Sequence, residues 1–283
     1  MTPRTIKTLV TGRPTMDGDG VPLTRVLPNA GLGRLDPFLM LDHFGPLSLP
    51  PGSDAGFPPH PHKGFMTYTY LVQGAFKHRD SRGGHGTLAP GGAQLMIAGK
   101  GIVHEEMPVP EHLETGGAIE GFQLWINLAA AHKGMEPSYT DLPDGVLVWR
   151  SIPGGRLKAL AGSWRGAPDP ISVPTPFAYA HVELEAGARF EHPIPPGWNA
   201  AIFMLRGALE VAGTAALTGQ LAVLSDAGEG FALDAKRDAA FLLFMGQPIG
   251  EPVAQYGPFV MNTETELEQA FREFQRGAMG SLD

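Results

Sequence analysis

The chain has 283 residues, 43% of them apolar, a formal net charge of −8 and no cysteine. That length suggests two domains, and the lack of thiols excludes disulfides, iron–sulfur clusters and cysteine-type zinc fingers. The acidic balance argues against direct nucleic-acid binding, because phosphates call for a basic surface.

The first residues, Met1-Thr-Pro-Arg-Thr-Ile-Lys7, lack the apolar core of a signal peptide. No run approaches the ~18 apolar residues of a membrane helix, so the expected location is the cytoplasm, with no membrane contact. With Gly 38 and Pro 27, many short strands joined by tight turns are expected rather than long helices.

His60-Pro61-His62 is the first stretch that carries chemistry. On a strand, residues two apart share a face, so both imidazoles point one way. Pro61 has no N–H to give, which predicts a strand start or an edge. The run Met66-Thr-Tyr-Thr-Tyr-Leu-Val72 reads as the next strand, with Met66 and Tyr68 on its inward face, and Gly74 as the opener of a hairpin. His78 and Asp80 suit a strand-end hydrogen bond or a pair that orients a ligand. His43 and His85 sit beside or near glycines and read as loop or pocket residues.

His104-Glu105-Glu106 answers the first pair: His104 and Glu106 share a face and Glu105 is turned away towards solvent. Two such strands side by side offer three imidazoles and a carboxylate to one point, a set suited to a divalent transition metal. If those four are the only protein ligands, an octahedral ion keeps two positions free, which separates a reactive site from a structural one. Gly99-Lys-Gly101 is not a nucleotide loop, since no helical pattern follows. Alternation places Gln123, Trp125 and Asn127 on one face of a strand and Leu124 and Ile126 on the other, without saying which looks inward.

The region 136–176, with Pro137, Pro143, Pro153, Pro168, Pro170, Pro174 and Pro176, is expected to be a connecting segment. It separates a metal-binding domain over 1–135 from a second barrel over 177–283. The second half repeats the strand rhythm, but His181 and His192 are too far apart for an i, i+2 pair, so no second metal is expected there. A helix is predicted over about 263–276: Thr263 and Glu266 form a capping box, and Leu267, Ala270, Phe271 and Phe274 make one apolar face.

The motif spacing resembles the cupin pattern, and the longer stretches resemble the pirin family. These are Asp36-Pro-Phe-Leu-Met-Leu-Asp-His-Phe-Gly45, Phe57-Pro-Pro-His-Pro-His-Lys-Gly-Phe65 and Ala98-Gly-Lys-Gly-Ile-Val-His-Glu-Glu-Met-Pro108, with Gln123-Leu-Trp-Ile-Asn-Leu128 and Gln255-Tyr-Gly-Pro-Phe-Val-Met-Asn262. The resemblance implies an all-β bicupin: two consecutive jelly-roll β-barrels with a short C-terminal helix. It also implies one metal, usually iron, held by His60, His62, His104 and Glu106. Nickel, cobalt, manganese, copper and zinc tolerate the same ligands, and no other cofactor is implied. Met66 stands where many relatives carry glutamate.

The activity implied is quercetin 2,3-dioxygenase-like cleavage of a flavonol or similar aromatic enol with O₂. Glu106 would be a ligand and in addition a possible base, and Phe57, Phe65, Met66 and Tyr68 would line the substrate pocket. The alternative from the same resemblance is a metal-bound redox sensor that binds a transcription factor or metabolic enzyme. A sugar-isomerase-like cupin fits the motifs less well. Because the histidines must be neutral to bind metal, affinity is expected to fall below about pH 6.5.

Overall fold

The computed structural model describes residues 1–53 and 55–282. Strands run from one end to the other, and the longest helix is Glu264–Gln275. The chain divides into two units, each with one seven-stranded and one four-stranded sheet. The expected all-β class is the one observed.

The units do not follow the expected boundaries. Met1–Arg13 and Val26–Pro37 belong with Leu147–Pro248, whereas Ile249–Asp283 belongs with Pro14–Arg25 and Phe38–Val146. Strand pairing explains the first exchange: Ile6–Thr11 lies antiparallel on Gln220–Leu224, covering an edge that would otherwise present unpaired backbone groups. Apolar burial explains the second. Leu267 and Ala270 of the C-terminal helix pack with Phe259, Met261 and Val103.

The supposed connection also contains strands. Ser138–Leu142 joins Ala93–Ile97, and Trp149–Ile152 forms a hairpin with Gly155–Ala161 in the other unit. Flanking prolines and glycines hide these strands from a pattern search.

In the histidine-bearing unit, Phe57–His62 is the edge strand of the four-stranded sheet, beside Ile102–Pro108. Pro59 and Pro61 are tolerated there because an edge strand bonds on one side only. Phe65–Gln73 lies in the seven-stranded sheet between Ala93–Ile97 and Gly117–Asn127. Gly74 follows it with φ +82°, where a Cβ would sit 2.8 Å from the Ala118 carbonyl oxygen, so the turn into Phe76–Asp80 requires glycine.

In the second unit, Phe190, Ile202, Met204, Leu209, Phe231, Phe241 and Leu243 fill the interior. No metal-ligating group of three or more residues lies there among the described residues. No helix among them is long and apolar enough to cross a membrane.

The helix cap forms as expected. Thr263 Oγ1 accepts the Glu266 N–H at 3.2 Å, and Glu266 Oε2 accepts the Thr263 N–H at 3.0 Å. Thr263→Ala is expected to cost about 1 kcal/mol, read as a lower urea midpoint with an unchanged slope. Phe271 and Phe274 pack on Phe259, at ring separations of 4.8 and 6.2 Å, although Phe274 stays 39% exposed.

Candidate metal centre

Antiparallel pairing sets His104 opposite His60 and Ile102 opposite His62, so three imidazoles converge from two neighbouring strands. A ligand atom from each of the three lies within 4.8 Å of the others. His60 is half-buried; His62 and His104 are buried. His60 Nε2 and His62 Nε2 are 3.0 Å apart. His60 Nδ1 donates to the Pro58 carbonyl at 2.8 Å, which leaves the Nε2 lone pair for the cluster. His104 Nδ1 is 2.8 Å from the Tyr139 hydroxyl, while its Nε2 is buried without a hydrogen-bond partner.

A buried polar atom with no partner is costly. The three imidazoles share one contact of hydrogen-bond length, between His60 Nε2 and His62 Nε2, and it leaves His104 Nε2 without a partner. The arrangement fits a divalent ion, which would take up those lone pairs and remove that cost.

Glu106 lies outside the group of three. It follows a break in the register after His104 and pairs opposite Phe57 on one side and His78 on the other. Its carboxylate is buried, accepting from Thr69 Oγ1 at 3.3 Å and from Gln123 Nε2 at 3.1 Å. The Trp125 indole N–H donates to Gln123 Oε1 at 2.9 Å, and this turns the amide so that its NH₂ faces Glu106. Phe65 packs on Trp125 at 4.2 Å and meets the His62 ring edge-on at 5.1 Å.

The pocket expectation needs correction. Thr69 bonds Glu106, so Phe65, Thr67 and Thr69 share the face towards the site, and alternation turns Met66 and Tyr68 to the opposite face. Both are fully buried there. Phe57 remains across from Glu106. The face left open on Gly117–Asn127 is settled in favour of Gln123 and Trp125.

His78 and Asp80 do not bond each other. Asp80 Oδ1 accepts the backbone N–H groups of Arg82 and Gly84 at 2.6 and 3.2 Å, and His78 stacks on Tyr139 with ring centroids 4.8 Å apart. Glu105, turned away as expected, pairs with Arg79.

Two contributors had no usable sequence signal. Tyr139 lies in the stretch read as a connection. Lys133 is a single lysine after a short 3₁₀ turn, yet its buried Nζ donates to the Gly64 carbonyl at 2.6 Å, Asn127 Oδ1 at 2.7 Å and the Val260 carbonyl at 2.9 Å. Lys63 adds a second tie, reaching Glu273 of the C-terminal helix at 2.5 Å and the Lys100 carbonyl at 2.9 Å. The backbone just after His62 is thereby pinned.

The chain matches the family described as Pirin over residues 20–126 and the Pirin C-terminal cupin domain over 179–280. It belongs to the pirin family. A pirin-like protein of Caulobacter vibrioides is 42% identical, with 97% of this chain and 98% of that one covered. A solved quercetin 2,3-dioxygenase of Acinetobacter baumannii superposes with a TM-score of 0.93 at 34% identity over 99% of each chain. A bacterial pirin of Escherichia coli in complex with nickel(II) has a TM-score of 0.65 at 20% identity, over 85% of this chain and all of that one; at that identity the likeness is one of fold.

Charge in this pirin's site is governed by burial. It lowers the His60 pKa, and lowers those of His62 and His104 well below the ordinary histidine value. The imidazoles therefore stay neutral, ready for a metal, to a pH further below 6.5 than expected from the unperturbed value. Glu106 moves the other way: burial raises it to about 7, against the opposing hydrogen bonds from Gln123 and Thr69.

A raised carboxyl pKa favours the folded state fully below the unfolded value, and this advantage is lost as pH rises through about 7. In metal-free protein, Glu106→Gln should therefore gain about 3 kcal/mol relative to wild type between pH 4.5 and pH 8. Urea midpoints of the two proteins across that range test it; parallel profiles would refute it.

Proposed function

We propose that this pirin is a metal-dependent dioxygenase of the quercetin 2,3-dioxygenase kind, acting on a flavonol or similar aromatic enol with O₂. In this reading His60, His62, His104 and Glu106 hold one divalent ion, iron first among the candidates. The single observation that supports it most is the buried, unpartnered His104 Nε2 within a cluster of three imidazoles. The name of the Acinetobacter baumannii structure supports the same activity class. A bound ion would supply Lewis acidity towards the substrate's enol oxygen and a place for O₂.

The protein's own groups do the rest. His60, His62 and His104 stay neutral and hold their ring planes fixed. The Glu106 carboxylate, held in place by hydrogen bonds from Thr69 and Gln123, is the group placed to take up the substrate hydroxyl proton. Phe57 and the edge of Trp125 would offer apolar surface to a flat aromatic substrate, with the fully buried Phe65 packed behind Trp125.

Oxygen uptake by iron-loaded protein with quercetin, beside a His104→Ala control, tests the reading. Uptake with carbon monoxide release in wild type alone is the expected result. Metal retained with no uptake would refute the proposed reaction on quercetin and favour the redox-sensing regulator, for which a reductant-sensitive protein partner should then be sought.

A further inference from the structure

The contact between Tyr139 and His104 has a consequence for how the site is set. A neutral imidazole carries one hydrogen for two nitrogens. If the Tyr139 hydroxyl donates to His104 Nδ1 across their 2.8 Å contact, the ring hydrogen sits on Nε2, and Nε2 has no lone pair to offer. If Nε2 is to bind a metal, the hydrogen must lie on Nδ1, and the phenol oxygen must accept it. Nε2 makes no hydrogen bond among the described residues, so Tyr139 is the group that governs the choice.

His60 shows the contrast. Its Nδ1 faces the Pro58 carbonyl, which only accepts, so its hydrogen stays on Nδ1 and its Nε2 carries a lone pair, turned towards His62 Nε2 at 3.0 Å. His104 faces a hydroxyl, which can do either.

We infer that Tyr139 is a positioning residue that holds His104 in the Nδ1–H form when metal binds, its hydroxyl turning from donor to acceptor. The inference rests on the reading of the three histidines as a metal site. The hydroxyl hydrogen then turns away from His104, in a field to which the carboxylates of Glu106, Asp80 and Asp141 contribute. A ligand imidazole whose second nitrogen donates to oxygen is fixed in orientation and made more basic, so it binds metal more tightly.

Tyr139 is suited to the part. Its strand, Ser138–Leu142, is paired to Ala93–Ile97, and its ring is packed against His78 and beside Met96. Phenylalanine would keep those contacts and remove only the oxygen, which separates this role from simple packing.

Zinc is the probe, being diamagnetic and free of redox change. Metal-free wild type and Tyr139→Phe are titrated with zinc against a chromophoric chelator, and the histidine ¹⁵N resonances of wild type are recorded before and after loading. The variant is expected to bind zinc roughly 10- to 100-fold more weakly with an unchanged far-UV circular dichroism spectrum. In wild type, His104 should shift towards the Nδ1–H form on loading, a measurement that needs no variant. Equal affinities, or a His104 tautomer that does not change on loading, would overturn the inference and leave the metal site standing. Wild type that takes up no zinc would overturn both.

Discussion

Replacing His104 by alanine is expected to weaken metal binding a few hundredfold while leaving the protein folded. A four-ligand site contributes on the order of 10–16 kcal/mol in total, so one imidazole accounts for roughly 3–4 kcal/mol, or two to three powers of ten in affinity. The fold should survive for local reasons. His104 lies in the middle of a paired strand, bonded to Phe57–His62 on one side and Phe76–Asp80 on the other, and none of those backbone bonds uses its side chain. Truncation also removes a buried nitrogen that has no partner in the metal-free protein, which offsets part of the cavity left behind. Chelator competition and thermal unfolding of the metal-free variant read the two halves separately. Unchanged affinity would remove His104 from the site; a collapse of the fold would make the cluster structural.

The second large effect belongs to Lys133. Lys133→Met is expected to destabilise the histidine-bearing unit by about 3–5 kcal/mol, although methionine matches the length and apolar character of the lysine stem. Three buried acceptors, the Gly64 and Val260 carbonyls and Asn127 Oδ1, would lose their donor together, and each unsatisfied group costs about 1–3 kcal/mol. Gly64 follows His62 by two positions, and its carbonyl is one of the three. The same change should therefore loosen the imidazole cluster and lower zinc affinity as well. Urea unfolding followed by tryptophan fluorescence in a variant that keeps Trp125 as its one tryptophan would show an earlier transition. A variant as stable as wild type would mean that water replaces the ammonium at no cost, and the clamp would lose its significance.

Much of the site was legible because strand alternation is local. His60 with His62, and His104 with Glu106, could be paired from spacing alone, and Pro61 pointed to the edge on which the first pair sits. The inward face of Phe65–Gln73 was not legible. Its residues are apolar or hydroxyl-bearing on both sides and buried on both sides, so no polarity contrast marks one face or shows that Met66 and Tyr68 point away from the site. Tyr139 reaches His104, 35 positions away, and Lys133 reaches Gly64 and Val260, 69 and 127 positions away, which no local pattern announces.

The sequence by itself determined the all-β class, the C-terminal helix with its capping box and the family, since each rests on short-range periodicity, capping chemistry or contiguous motifs. Only the tertiary structure decided which unit each end of the chain joins, because an edge strand and an apolar helix face go wherever complementary surface is free. It also decided how the site is held. Burial, a property of the packed chain and not of any segment, sets the protonation of Glu106 and the imidazoles, while Gln123 meets Glu106 and Tyr139 faces His104 across distances that only folding closes.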